Sequence, residues 1–368
     1  MIRVALTNEI LKRIAAIDEN RFSLKTIELP QIIVNRLRKN SKKKSSYASN
    51  KIEGNPLTEA QANDAMESDE HKHFLKPEQE VRNYYLALNL LEEKLKKREV
   101  FSRKLILEVQ ALVEKGASRE KIGLRGPTPP GVLFAVYDSQ TGVPEYIPPE
   151  YKDVPGLLDE LVSYVNTTDD HPLIIAAVVH YQLVTIHPFE DGNGRTARLM
   201  SGYILDYYGY GFNGIGSLEE YFAYDPDEYY ESLQMGLPAL YYSGRENPPH
   251  PEIWVNYFLR MMELYSKKVY ELSVSSQQED VEGSLSYLNA KEKALLVYLL
   301  EKRMLEFAPV DIGKALGVTN KTIINRCVKL TSTGFLVPNI VKERIRTYSL
   351  SAFSQKHSKV ILDMLTQS

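Results

Sequence analysis

The sequence predicts a mainly α protein with one β-hairpin near its middle and a winged-helix domain at its C-terminus. Three observations carry that expectation. Apolar residues recur at helical spacing through most of the chain, as in EVRNYYLALNLLEEKLKK, RKLILEVQALVEKG and PEIWVNYFLRMMELYSKKVYEL. One stretch, RGPTPPGVLFAVYDSQTGVPEYIPPEY, breaks the pattern. Its prolines and glycines exclude a long helix, and VLFAVYD and EYIPP flank the turn-rich SQTGVP, so a hairpin lying over another element is expected. Near the C-terminus, NAKEKALLVYLLEKRM reads as a helix and APVDIGKALGVTNKTIINRCVKLTSTGFL as two short helices around a turn at Gly317. VPNIVKERIRTYSL then supplies two strands, completing a winged-helix order.

At 368 residues the chain exceeds the size at which one core keeps growing, so several units are expected. Residues 1–100 read as an N-terminal helical region and 101–270 as a central core. The polar ELSVSSQQEDVEGSLS, residues 271–286, reads as a linker, and 287–368 as the winged helix. A net charge of -3, with 43% apolar and 25% charged residues, describes a soluble globular protein and argues against a polyanion binder by bulk charge. Over residues 288–350 the balance differs: 11 Lys and Arg against 5 Asp and Glu, 11 minus 5 giving +6, which permits DNA or protein contact through the winged helix. The basic run at residues 35–46 reads as a solvated helix face.

The N-terminal MIRVALTNEILKRIAAIDEN carries charges throughout and has no signal-peptide pattern. The longest apolar run, PLIIAAVVHYQLVTI, is too short to span a bilayer and contains His180 and Gln182. A cytoplasmic protein without a membrane role is expected. His180 itself reads as a core histidine bonded to neighbouring backbone. A single cysteine, Cys327, excludes an internal disulfide and a multi-thiolate zinc site, and its apolar phase in a helix predicts a core position.

The chemistry concentrates in TIHPFEDGNGRTAR, residues 185–198. An apolar helical run ends at His187, Gly192 and Gly194 interrupt it, and RTARLMSGYILDYY resumes helical periodicity, so the motif is a tight loop between two buried helices. A loop opening into a helix N-terminus presents unpaired N–H groups and a positive dipole end. With Asn193 between two glycines, those amides can form an anion nest. Arg195 and Arg198, three apart on the next helix, add two guanidiniums, which suits a ligand with several phosphates. The GxxxxGK[ST] string of the Walker P-loop is absent. Asp191, an acid amid this positive charge, is best explained as a Mg2+ ligand bridging phosphate oxygens. His187 is placed to take the proton of a hydroxyl attacking the bound phosphate.

HPFEDGNGR followed by Thr196, Ala197 and Arg198 resembles the HxFx[DE]GNGRxxR signature of the Fic family, matching eight constrained positions in twelve residues. The likeness extends over about residues 100–240. It implies a Fic helical core with the hairpin near Leu133 to Tyr146 as a flap that aligns a target segment by strand addition. It further implies transfer of AMP from ATP to a protein hydroxyl. His187 would be the base and Asp191 would hold Mg2+ between the α and β phosphates. Gly192, Asn193 and Gly194 would bind the α and β phosphates, and Arg195 and Arg198 the outer ones, with Arg198 nearest the γ phosphate. Phe189 would anchor the loop in the core. Gly194 stands where Doc-type relatives carry a lysine and phosphorylate, so glycine favours nucleotidyl transfer.

Upstream, SNKIEGN puts Ser49 and Glu53 four apart on one side of a short helix that Gly54 ends. Beside the signature it resembles the family's [ST]xxxE[GN] inhibitory helix. Glu53 would then pair with Arg198 in a bidentate geometry, in place of the γ phosphate. The expected function is an autoinhibited protein adenylyltransferase acting on a Ser, Thr or Tyr hydroxyl of a target protein or of itself. The alternatives are a DNA-binding regulator with a nucleotide-sensing core and an enzyme that removes AMP. A homodimer is also open, as family members often dimerise.

Overall fold

A computed structural model of the chain describes every residue except 28, 30, 69–72, 119–121, 133, 138–141, 238–247, 342–343 and 367–368. The chain divides into two compact units, Met1–Arg21 with Asn40–Lys267, and Phe22–Lys39 with Lys268–Ser368. Along the chain run α1 (Asn8–Lys25), α2 (Gln31–Ile52), α3 (Glu59–Glu67), α4 (Lys76–Lys96), α5 (Arg103–Val113), β1 (Val136–Tyr137), β2 (Pro144–Tyr146), α6 (Val154–Thr167) and α7 (Pro172–Ile186). They are followed by α8 (Asn193–Tyr207), a 3-10 turn (Phe212–Gly214), α9 (Glu219–Tyr224), α10 (Pro226–Gln234) and α11 (Pro251–Ser286). The C-terminal elements are α12 (Ala290–Glu301), β3 (Glu306–Phe307), α13 (Pro309–Leu316), α14 (Asn320–Ser332), β4 (Leu336–Val341), β5 (Arg344–Leu350), α15 (Ala352–Lys356) and α16 (Ser358–Thr366). The protein is mainly helical, as its apolar periodicity predicts.

The first unit is built around α7. Every residue of this helix except Pro172 and Val184 is buried, which is why it lacks the one-sided pattern of a surface helix. Its start is fixed by Pro172 in the first turn and by His171, whose Nδ1 accepts from the Leu173 amide at 3.3 Å. α8 packs along it, and the Ser201 hydroxyl donates to Ala176 O at 3.0 Å. α11 closes over the same helix, where Trp254 Nε1 donates to Ala177 O at 2.8 Å. His180 is buried there too, but its partner is the Tyr229 hydroxyl at 2.8 Å rather than the expected backbone, because the helix satisfies its own carbonyls.

The expected hairpin is present as β1 and β2, antiparallel with Val136 opposite Tyr146 and Tyr137 opposite Pro144. Its inner end is held by the buried Tyr146, whose hydroxyl donates to Thr185 O. Leu133 and residues 138–141 of the expected flap lie outside the described residues.

α2 departs from a fully solvated face. Lys43 pairs with Glu67 at 2.7 Å, Lys44 with Glu220 at 3.0 Å and Lys42 with Glu92, while Ser41, Ser45, Ser46 and Ser49 on the same helix are buried. The serines form one face and the lysines border it.

In the second unit α13 ends at Gly317, whose φ of 66° is left-handed, and Thr319 caps α14 by accepting from the Thr322 amide at 3.3 Å. β4 and β5 pair antiparallel, and the short β3, which the sequence reading missed, adds to β5 to give the order β3-β5-β4. Cys327, Leu330, Phe335, Tyr348 and Ile361 share one core. The expected linker at 271–286 is corrected: these residues are the C-terminal part of α11. Polarity does not prevent a helix, and Val281, Leu285 and Leu288, spaced four and three apart, enter the second unit's core.

Candidate active site

The loop between α7 and α8 is shaped by two left-handed residues. His187 caps α7 with φ 47° and ψ 60°, and Gly192 precedes α8 with φ 81°. Between them Asn193 stitches the loop to itself: its Oδ1 accepts from the Phe189 amide at 3.0 Å and its Nδ2 donates to Phe189 O at 2.9 Å. The Asn193 side chain is thereby committed to the loop, leaving its backbone N–H for a ligand. Phe189 is fully buried and bridges to Leu124. The first helical bond of α8 runs from the Thr196 amide to Gly192 O at 2.9 Å, so the amides of Asn193, Gly194 and Arg195 precede it and open the helix N-terminus. A Cβ on Gly192 would lie 2.4 Å from Glu114 Oε1, so only glycine fits there.

His187 Nδ1 lies 3.3 Å from Val184 O, and its backbone carbonyl accepts from Arg125 Nε at 2.7 Å. A proton on Nδ1 leaves the Nε2 lone pair free. Burial, followed by the charge of Arg125, pushes the imidazole pKa down to about 4, against the opposing Val184 hydrogen bond and the Glu53 and Asp191 carboxylates. The ring is neutral at pH 7. Asp191 Oδ1 accepts from the Gly192 amide at 2.7 Å and from Arg195 Nη2 at 3.1 Å.

The two arginines have different surroundings. Arg195, with a side chain 4% exposed, lies among Glu114 at 3.0 Å, Asp191 at 3.1 Å and Glu80 at 3.7 Å. Its guanidinium is enclosed by acids rather than turned outward with Arg198, because α4 and α5 both bring carboxyls to it. Arg198, equally buried, faces α2. Its Nε donates to Ser49 Oγ at 2.8 Å, and its Nη2 to Ser49 O at 3.0 Å and to Glu53 Oε1 at 2.5 Å. One Glu53 oxygen makes this pair, not the expected bidentate fork, since Ser49 takes the remaining Nε and Nη2 hydrogens. Although burial acts to raise it, the Glu53 pKa is lowered by Arg198 and then Arg195. Burial disfavours the Arg198 charge, but Glu53 outweighs that and keeps the guanidinium protonated. Glu53 also sits at the mouth of the helix: a Cβ on Gly194 would lie 2.4 Å from its Oε1.

Residues 100–205 match the family described as Fic/DOC. The chain is a Fic family protein. It is 30% identical over 211 residues to the Protein adenylyltransferase Fic of Drosophila mojavensis, a match covering 54% of this chain and 38% of that protein. The same name, identity and overlap apply to an Aedes aegypti protein, of which 39% is covered. The chain thus spans about two fifths of the length of these curated relatives. Among solved structures, a Fic family protein from Desulfovibrio desulfuricans G20 superposes with a TM-score of 0.60 at 21% identity, covering 96% of this chain and 98% of that one. Residues 134–508 of C. elegans Fic-1 superpose with a TM-score of 0.55 at 24% identity, covering 73% of each chain.

Several groups of this Fic site escape a reading of the signature. Glu114, Glu80, Arg125, Tyr84 and Tyr229 come from elements far apart in sequence. Burial pushes the Glu114 carboxyl up to about 7, with Asp191 and Glu80 adding and Arg195 opposing. One signal was available: Gln110 and Glu114, four apart, continue the phase of the buried Ile106 in α5, so a polar pair interrupts its apolar face.

Proposed function

We propose that the protein transfers AMP from ATP to a hydroxyl of a protein substrate, and that Glu53 restrains the reaction. The observation that carries this reading is the Glu53 carboxylate against Arg198 and over Gly194, an internal anion where the helix N-terminus and a buried arginine invite one. A protein carboxylate in that position leaves the terminal phosphate of ATP without its arginine. ATP bound beside it is out of line for attack at the α-phosphorus, and misplacement of this kind lowers rate steeply.

With the carboxylate withdrawn, the neutral His187 takes the hydroxyl proton at Nε2 as the hydroxyl oxygen attacks the α-phosphorus. The bond from that phosphorus to the β-phosphate bridging oxygen breaks and pyrophosphate leaves. The amides of Asn193, Gly194 and Arg195 hold phosphate oxygens, and Arg198 holds the outermost phosphate. Asp191 fits a Mg2+ ion: its side chain is 33% exposed at the loop, and its hydrogen bonds fall on Oδ1. Among the described residues no group of three or more His, Cys, Asp or Glu is placed to hold a metal alone, so phosphates must complete the shell. Bound there, Mg2+ would neutralise phosphate charge.

The test is transfer of label from α-labelled and γ-labelled ATP with Mg2+, comparing the wild type, Glu53→Gly and the Glu53→Gly, His187→Ala double variant. Label from the α position alone, strong in Glu53→Gly and near background in the other two, is expected. Equal labelling of wild type and Glu53→Gly removes the restraint, and absence of label in every form, in lysate as well as in isolation, removes the transfer.

A further inference from the structure

We propose that Tyr229 is the positioning residue that keeps Arg198 aimed at the nucleotide once Glu53 has withdrawn, an inference that rests on the adenylyl-transfer reading above. The contacts of Arg198 Nε and Nη2 go to Ser49 and Glu53, which belong to α2 and the residue just beyond it. An arginine held only by its inhibitor would lose its aim when that inhibitor left. Its Nη1, however, reaches the Tyr229 hydroxyl of α10 at 3.5 Å, and among the described residues this is the hydrogen bond of Arg198 that does not come from the inhibitory segment.

Tyr229 is built to hold still. It is 1% exposed, and its ring is enclosed by Phe222 at 5.3 Å, His180 at 5.7 Å and Trp254 at 6.2 Å between centroids. Its hydroxyl lies 2.8 Å from His180 Nε2. Burial, and then the charge of Arg198, keep His180 neutral, so its Nε2 accepts the tyrosine proton. The oxygen lone pairs of Tyr229 are then left to Arg198 N–H groups. At 3.5 Å the contact is at the long limit while Ser49 and Glu53 hold the other nitrogens, and it shortens when the carboxylate no longer competes.

The experiment is calorimetric titration of the full chain with MgATP and MgADP. The parent carries Glu53→Gly and His187→Ala, so that nucleotide is bound without turnover. Added to it, Tyr229→Phe, which removes one oxygen and keeps the ring, is expected to weaken ATP binding about three- to tenfold, in line with one hydrogen bond to a charged group, and to leave ADP, which lacks the outer phosphate, within twofold. In the Arg198→Ala background the same change should have no further effect on ATP. Equal losses for both nucleotides, no loss for either, or an undiminished effect without Arg198 overturns the proposal. Labelling by Glu53→Gly without the ATP and ADP difference would sink the role of Tyr229 alone. The difference without labelling would sink the transfer reading alone, and a parent that binds no ATP would sink both.

Discussion

At the scale of single residues, the site is governed by how little water reaches its charges. His187 is the clearest case, because its low pKa is a statement about protonation at working pH. Adenylyl transfer needs the neutral ring, and protonation abolishes it below the pKa. Removing Glu53 takes away a charge that raises that pKa, so the activated form is shifted further down, not up. The kcat/KM of Glu53→Gly is therefore expected to be flat from about pH 6 to 8, where an ordinary histidine near 6.5 would give an inflection. A pH profile of label transfer with a break near 6.5 would contradict the buried, arginine-flanked environment. Glu114 gives a second test. Replacing it by Ala leaves Arg195 buried with Asp191 and Glu80 only, and a stability loss of about 3 kcal/mol is expected, at the low end for breaking a buried pair because two acids remain. Thermal unfolding with a Tm shift below a degree would show that Glu114 does not compensate Arg195. The signature made His187, Asp191 and the glycines legible because local spacing sets their geometry. Tyr229 and Glu80 were not legible, since what brings them to the arginines is packing between helices far apart in sequence.

At the scale of elements, the question is what keeps α2 in place long enough to inhibit. Ser49 lies one turn beyond Ser45, whose hydroxyl donates to Glu219 Oε2 at 2.8 Å. The other Glu219 oxygen accepts from Tyr84 of α4 at 2.9 Å, and the Ser217 hydroxyl adds a third donor at 3.1 Å. One nearly buried carboxylate of α9 thus joins α2 to α4. Glu219→Ala leaves the Ser45 and Tyr84 hydroxyls buried without an acceptor, at a cost of about 1–3 kcal/mol each. The expected outcome is partial release: self-labelling in an otherwise wild-type chain rises above background but stays below that of Glu53→Gly. Labelling that stays at background would mean that Glu53 and Ser49 alone fix α2. Element types were legible where the chain announces them with proline, glycine or strict periodicity, as in β1, β2 and α7. The end of α11 was misread because its apolar contacts are sparse, with Val281, Leu285 and Leu288 separated by polar residues.

At the scale of the whole molecule, the second unit carries a charge of opposite sign to the chain, and its partner depends on which side chains face outward. Its helix-turn-helix invites a DNA reading, in which the second helix offers donors and acceptors to base edges. The outward positions of α14 include Lys321 and Asn325, but also Ile324 and Val328, the latter 54% exposed. On the strands, Ile340 and Ile345 stand opposite each other and are 65% and 49% exposed. Branched apolar side chains at these places supply no groove-reading hydrogen bonds, so basic charge is what remains for a duplex. Binding should then be of the counterion-release kind, indifferent to sequence and steeply weakened by salt. Fluorescence anisotropy of unrelated labelled duplexes with the full chain is expected to show similar weak affinities at about 50 mM salt that fall by at least tenfold near 200 mM. One duplex favoured by about a thousandfold at the higher salt would reverse this and return the DNA-binding regulator to the front.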